Sequence, residues 1–231
     1  MAAAMRVLVV QNAPLEGPGR LAVALSERAV PFDVVRAWTE PVPPLPPHGA
    51  LVVLGGPMGA YESDAHPFLE REVALIRAYA AAERPVLGVC LGAQLAAHAL
   101  GGRAFPGTAG YEAGWTPVTL TDAGRRDPVV AALAAAPGVF HYHGDTFVPP
   151  PGAALLASTP RYAEQAFRLG SVLAFQFHVE ATPETAAAWI QHDEKWLASR
   201  DVDPVLAARA PAGAAAGLDR VLERVAAFLD T

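Results

Sequence analysis

The chain of 231 residues has a single cysteine, Cys90, and a single lysine, Lys195. One thiol excludes an internal disulfide and fits a reducing, cytoplasmic setting. Lys and Arg together number 17 against 23 Asp and Glu, and the net charge is −6. No basic cluster with interleaved aromatics occurs, which argues against a nucleic-acid surface and against anionic membranes as partners. Gln94, His98 and scattered prolines interrupt the longest apolar runs, so none reaches the ~18 residues of a membrane span. The opening MAAAMRVLVVQNAP has no basic stretch ahead of an apolar region and does not read as a signal peptide.

What is plentiful is apolar surface. Hydrophobic residues make up 52% of the chain, enough for a sizeable core. Apolar runs at 6–10, 32–35, 50–54 and 85–89 alternate with helix-like segments at 20–29, 67–82 and 91–100, the pattern of parallel βαβ units. After residue 103 short runs at 116–120, 139–141, 154–157, 163–168 and 172–177 predict strands joined mainly by turns. Thr182-Pro183-Glu184 predicts a capped helix reaching Ser199. Residues 201–217 read as a loop, and Leu218, Val221, Leu222, Val225, Phe228 and Leu229 form a helical apolar stripe. The expected fold is three-layer αβα with a mostly parallel central sheet. Residues 1–200 form its domain, and 201–231 form a tether and an amphipathic helix packed on it.

Gly17-Pro18-Gly19-Arg20-Leu21-Ala22 fits a dinucleotide-binding pattern, but Pro18 offers no N–H to a pyrophosphate and no acidic residue follows at the required spacing. It reads as a loop entering a helix.

Gly88-Val89-Cys90-Leu91-Gly92 has the form of a nucleophile elbow, a sharp strand-to-helix turn whose flanking glycines relieve crowding. On that turn alone, a nucleophile and an inert buried thiol stand level. Phe175-Gln176-Phe177-His178-Val179-Glu180 tips the balance. Residues two apart on a strand share a face, so His178 and Glu180 point together and supply a base and its orienting carboxylate. Leu54-Gly55-Gly56-Pro57, after the third strand, offers backbone N–H groups at the same sheet edge and can supply one oxyanion donor, with the Leu91 N–H as the other.

Four motifs, GGPMGAYE, PVLGVCLGAQL, HYHGDTF and FQFHVEATPE, make the chain resemble class I glutamine amidotransferases over most of residues 50–183, close in pattern to the glutaminase part of GMP synthases. The resemblance implies hydrolysis of glutamine by a Cys90-His178-Glu180 triad, with ammonia passed to an acceptor. It places Gly56 in the oxyanion loop and Gln94, Gly144 and Asp145 around the substrate's amino-acid end. It also implies glutamine as substrate and, as partner, a separate synthetase subunit, because residues 184–231 hold no glycine-rich phosphate loop. One departure is Val179, where the family usually has proline. No cofactor and no metal are expected. His141 and His143 read equally as supporting residues and as substrate contacts, His98 as structural, and His48, His66 and His192 lack ligand-like spacing. Rival readings are a hydrolase of γ-glutamyl or other amides, a flavodoxin-like cysteine hydrolase, and a catalytically idle regulatory subunit.

Overall fold

A computed structural model describes residues 6–44 and 47–231. The first residues of the MAAAMRVLVVQNAP stretch lie outside them. Twelve strands and eight helices are described, in the order β1 (Val7–Gln11), α1 (Gly19–Glu27), β2 (Phe32–Arg36), β3 (Ala50–Val53), α2 (Phe68–Ala81), β4 (Val86–Val89), α3 (Leu91–Ala99), β5 (Arg103–Pro106), β6 (Glu112–Thr116), β7 (Thr119–Leu120) and α4 (Asp122–Arg126). A 3₁₀ turn (Val130–Ala135) leads to β8 (Val139–His143), β9 (Asp145–Val148), β10 (Ala154–Ser158), β11 (Ala166–Leu169) and β12 (Val172–Phe175). The helices α5 (Pro183–His192), α6 (Glu194–Ala198), α7 (Pro204–Ala207) and α8 (Ala214–Leu229) follow.

Eight strands form one sheet in the order β2-β1-β3-β4-β12-β11-β10-β7. The first five pair in parallel and the last three antiparallel. Alternate residues of β1 enter opposite faces of the core, as a strand's period of two requires. Val7 and Val9 pack with Leu21 and Leu25 of α1 and Leu218, Val221, Leu222 and Val225 of α8. Leu8 and Val10 pack on the other face with Leu69 and Ile76 of α2 and Leu95 of α3. The result is the expected three-layer αβα arrangement. Two antiparallel ribbons, β5–β9 and β6–β8, stand outside the main sheet. Among the described residues no helix is long and apolar enough to cross a membrane.

Several sequence expectations are corrected. The run at 116–120 is two strands in different sheets, because Pro117 lacks the N–H needed to continue a ladder. The last sheet strand stops at Phe175, not Phe177, because Gln176 N turns to Gln165 O and His178 N to Phe140 O. The helix expected to reach Ser199 breaks at Asp193 into α5 and α6. Asp193 accepts a 2.6 Å hydrogen bond from the Tyr142 hydroxyl at that break. The segment 201–217 is not all loop: Asp203 caps the short α7 through the N–H groups of Val205 and Leu206, and α8 begins at Ala214.

The β3–β4 register places Val53 opposite Gly88, and the β12–β4 register places Phe175 opposite Val89, so three chain segments leave the sheet side by side. The loop after β3 is braced from below. Asn12 Nδ2 donates to Leu54 O at 3.1 Å and to Glu72 Oε2 at 3.3 Å. Glu72 is fully buried, and burial pushes its carboxyl up to about 8.

Two outcomes are expected. A Cβ at Gly92 would overlap the Val53 carbonyl oxygen, whereas one at Gly17 meets its nearest neighbour at 3.7 Å. Gly92→Ala should therefore lower stability by about 3 kcal/mol or more in urea unfolding, and Gly17→Ala by under ~0.5 kcal/mol. Glu72 holds its proton more tightly folded than unfolded, so stability falls as pH rises from the ordinary carboxylate range to about 8. Glu72→Gln should remove that decline, whose limiting slope is about 1.4 kcal/mol per pH unit; parallel slopes for the two proteins would refute the assignment.

Candidate active site

Cys90 sits between the end of β4 and the start of α3 with φ 52 and ψ −109, a conformation rare for a side-chain-bearing residue. Such strain costs about 1–3 kcal/mol and persists only where its surroundings hold it. Here the Cys90 N–H donates to Phe175 O at 2.8 Å, and the Cys90 carbonyl accepts from Ala93 N and Gln94 N. The glycines are sterically required. A Cβ on Gly88 would lie 2.5 Å from Gly92 O, and one on Gly92 would strike β3. The start of α3 then lies beside the sulfur with its partial positive charge.

His178 follows three residues after Phe175, the strand end that pairs with β4, and so reaches the elbow. Its Nδ1 is 2.7 Å from Glu180 Oε1, and Cys90 is near enough to act on the ring electrostatically. Both His178 and Glu180 are buried. Burial opposes charge on the imidazole, but Glu180 and Cys90 outweigh it and raise His178 well above its ordinary value. Trp189 packs on the ring in an edge-to-face arrangement, with centroids 5.0 Å apart at 72°. Such a cysteine, imidazole and carboxylate can hold a thiolate, move a proton and keep the imidazole in one orientation.

Gly55 lies against this pair: a Cβ there would be 3.5 Å from Cys90 Cβ and 3.0 Å from His178 Cε1. Gly56 packs instead on Leu91 Cδ2 and Asn12 Cβ. Both candidate oxyanion residues, Gly56 and Leu91, thus lie together at the elbow. Gln94, one turn into α3, is buried and donates to Gln176 Oε1 at 3.2 Å, while Gln176 Nε2 lies 3.8 Å from Cys90 Sγ. Gln94 is thereby joined to the sulfur through Gln176. The β8–β9 hairpin enters from the other side, with Tyr142 O 3.9 Å from Cys90 Sγ. Beyond it, Gly144 is crowded by the Tyr111 ring, and Asp145 accepts from the Tyr61 hydroxyl at 2.9 Å. That bond ties the hairpin to the loop after β3. The open cleft lined by Arg77, Leu100, Leu169 and Ser171 holds no nucleophile paired with a base among the described residues.

Sequence reasoning missed Glu16. It lies on the loop after β1, whose Gly-Pro-Gly pattern reads as a simple helix entry. The loop is pinned over the site: Trp189 Nε1 donates to Leu15 O at 3.0 Å, Gln11 Nε2 to Ala13 O at 2.8 Å, and Arg20 N to Glu180 O at 2.9 Å. The Glu16 carboxylate lies against Gly55, beside His178. Burial pushes it up to about 7, the attraction of His178 notwithstanding. A loop leaving a parallel strand at the same sheet edge as the elbow was the available signal. Gln176, Tyr142 and Trp189 were missed because their roles depend on contacts between distant segments.

A further grouping joins residues of β6 and β8. Glu112, His141 and His143 bring one carboxylate oxygen and two ring nitrogens within 4.8 Å of one another. The motif reading left both histidines without a decided role and did not connect them to Glu112.

The model for the glutamine amidotransferase class-I family matches residues 20–195. The chain is 33% identical over 202 residues to the glutamine amidotransferase-like protein YfeJ of Salmonella typhimurium, covering 84% of this chain and 83% of that one. It is 34% identical over 154 residues to the glutamine-hydrolyzing GMP synthase of Thermomicrobium roseum, but that match takes in 65% of this chain and 26% of the synthase. In structure it is similar to a glutamine amidotransferase from Thermotoga maritima, with TM-score 0.86, 29% identity, and 99% and 100% of the two chains covered. A glutamine amidotransferase from Methylobacillus flagellatus gives TM-score 0.83 at 28% identity, covering 98% and 94%. With the family model spanning most of its length and a relative matched nearly end to end, the chain belongs to the class-I glutamine amidotransferase family.

Proposed function

We propose that the chain hydrolyses the side-chain amide of glutamine through a cysteinyl thioester and delivers the ammonia to an acceptor on a partner synthetase. The observation that carries this reading is the buried His178, bonded at 2.7 Å to Glu180 and under the electrostatic influence of a cysteine held at a strained elbow. The Cys90 sulfur, its proton taken by His178, attacks the amide carbon, and the carbonyl oxygen becomes an oxyanion facing the Gly56 and Leu91 N–H groups. His178 returns the proton to the departing nitrogen; ammonia leaves and a γ-glutamyl thioester remains. The neutral imidazole then takes a proton from water, which attacks the thioester and releases glutamate. Glu180 stabilises the imidazolium and fixes its tautomer. Gln94, Gly144 and Asp145 surround the amino-acid end of the substrate.

Glu16 extends this reading. Among the described residues it makes no ion pair and no side-chain hydrogen bond, yet its carboxylate faces the same space as Cys90 and His178. That is a receptor for a cation, and the α-ammonium of glutamine is the cation the substrate carries. The partner synthetase is supported by similarity to one component of the glutamine-hydrolyzing GMP synthase of Halobacterium salinarum, 37% identical over 101 residues. That match covers 44% of this chain and 48% of that component.

Ammonia release from glutamine tests the chemistry. Cys90→Ser should lower kcat/KM by at least about 10³-fold while circular dichroism stays native. Undiminished release by a folded Cys90→Ser protein would overturn the mechanism. Glu16→Gln should raise KM for glutamine by roughly 10-fold with little change in kcat, and should leave hydrolysis of glutaramate, which lacks the α-ammonium, unaltered. In the unsubstituted chain KM for glutamine should rise as pH falls below about 7, as Glu16 takes up its proton. Equal effects of Glu16→Gln on the two substrates would remove the carboxylate from amine recognition.

A further inference from the structure

The β6–β8 ribbon carries an arrangement that the glutaminase chemistry does not use. In this antiparallel pair Glu112 stands directly opposite His143, and His141 lies two residues before His143 on the same strand face. His141 and His143 are 1% and 3% exposed, and Glu112 is partly buried beside them. Glu112 Oε2 is 3.1 Å from His143 Nε2 and 3.7 Å from His141 Nδ1.

The hydrogen bonding around them leaves a specific gap. Asp145 O can only accept, so its 2.9 Å contact assigns the proton of His143 to Nδ1 and turns the lone pair of Nε2 inward. That Nε2 lies close to the Glu112 oxygen without the alignment of a hydrogen bond. Among the described residues neither ring nitrogen of His141 has a hydrogen-bond partner; the Glu112 oxygen, the His143 ring and the Thr116 backbone are polar groups near it. Burying an imidazole unpartnered is costly, and one proton between Glu112 and His143 would leave His141 as it is. A cation at the common focus would satisfy all three donor atoms at once.

We propose that Glu112, His141 and His143 bind a divalent transition-metal ion of the zinc or cobalt type. Donors around a tetrahedral ion with bonds of about 2.0–2.2 Å stand roughly 3.3–3.5 Å apart, and the two observed separations bracket that value. The supporting contacts suit a metal as well. Asp145 O holds the non-ligating nitrogen of His143, and Thr159 Oγ1 and Gln165 Nε2 donate to the two Glu112 oxygens at 2.7 and 2.6 Å. The ion would clamp β6 to β8 immediately before Gly144 and Asp145, fixing the hairpin whose Tyr142 carbonyl lies beside Cys90.

The test uses full-length Cys90→Ser protein, so that the thiol cannot serve as a ligand. After chelator treatment and dialysis, titration with Co²⁺ should give visible d–d bands saturating at one ion per chain. Zn²⁺ should bleach them, and at a hundredfold excess over Kd the Tm should rise by about 5 °C. Absence of both the bands and the Tm shift would overturn the proposal, and that measurement needs no change in the ribbon. Adding Glu112→Gln or His141→Asn should abolish the bands; bands that survive both changes would place the ion elsewhere and equally overturn it. Because the readouts are spectral and thermal, the outcome does not depend on whether glutamine is the substrate.

Discussion

The close approach of three backbone segments at the β4–α3 turn is the constraint from which the rest of the site follows. Gly92 lies so near Val53 O, and Gly88 so near Gly92 O, that neither position admits a side chain. With the helix start pressed onto the sheet, the connection between them has no length in which to relax, and Cys90 is forced to positive φ. The sheet provides the force that holds it there. Cys90 N is claimed by Phe175 O across the β4–β12 register, and α3 is buried on nearly every side. Local strain of about 1–3 kcal/mol is small beside the burial of the apolar residues of α3 and β4.

Much of this was legible in sequence because it is written locally. Alternating apolar runs and helical stripes are patterns of period two and 3.6, and they mark the parallel half of the sheet and its flanking helices. The glycines around Cys90 are local too. What was not legible depends on which segment satisfies which hydrogen bond. His178 and Glu180 do meet, yet not as alternate residues of a strand: the ladder has ended, and His178 N is paired with Phe140 O instead. Likewise Asp193 breaks the C-terminal helix near a Tyr142 hydroxyl 51 positions earlier, and nothing in the helical pattern of 183–199 announces that partner. Glu16 was hidden for the same reason, since its loop gains meaning only when Trp189 and Glu180 hold it down.

Charge in the site is arranged around a single favoured cation. His178 is buried and raised well above its ordinary value, with Glu180 at hydrogen-bond distance and Glu16 close enough to feel it. Glu180 Oε2 has no hydrogen-bond partner among the described residues, so its negative charge is directed chiefly at the imidazole through Oε1. In a water-poor setting that charge is not screened, and it acts at full strength on the one ring able to share it. Tyr111 and Tyr142, by contrast, are both held above the ordinary phenol range, chiefly by burial and then by neighbouring ionisable groups, so they stay neutral.

The indole of Trp189 joins the two halves of this arrangement. It packs edge-to-face with the His178 ring, limiting rotation of the imidazole, while its Nε1 holds Leu15 O and with it the loop that carries Glu16. Trp189 is in turn placed by α5, which starts at a reciprocal Thr182–Thr185 cap two residues beyond Glu180. The same short stretch of chain therefore supplies the imidazole, its carboxylate, the cap and, a turn and a half later, the indole that seats them. Phe140 closes the circuit: its carbonyl fixes His178 N, and its ring packs with Trp189 at 5.9 Å. Imidazole orientation and the position of the Glu16 loop are thus set by one aromatic cluster, so a change in how α5 packs would reach both the imidazole beside Cys90 and the Glu16 carboxylate.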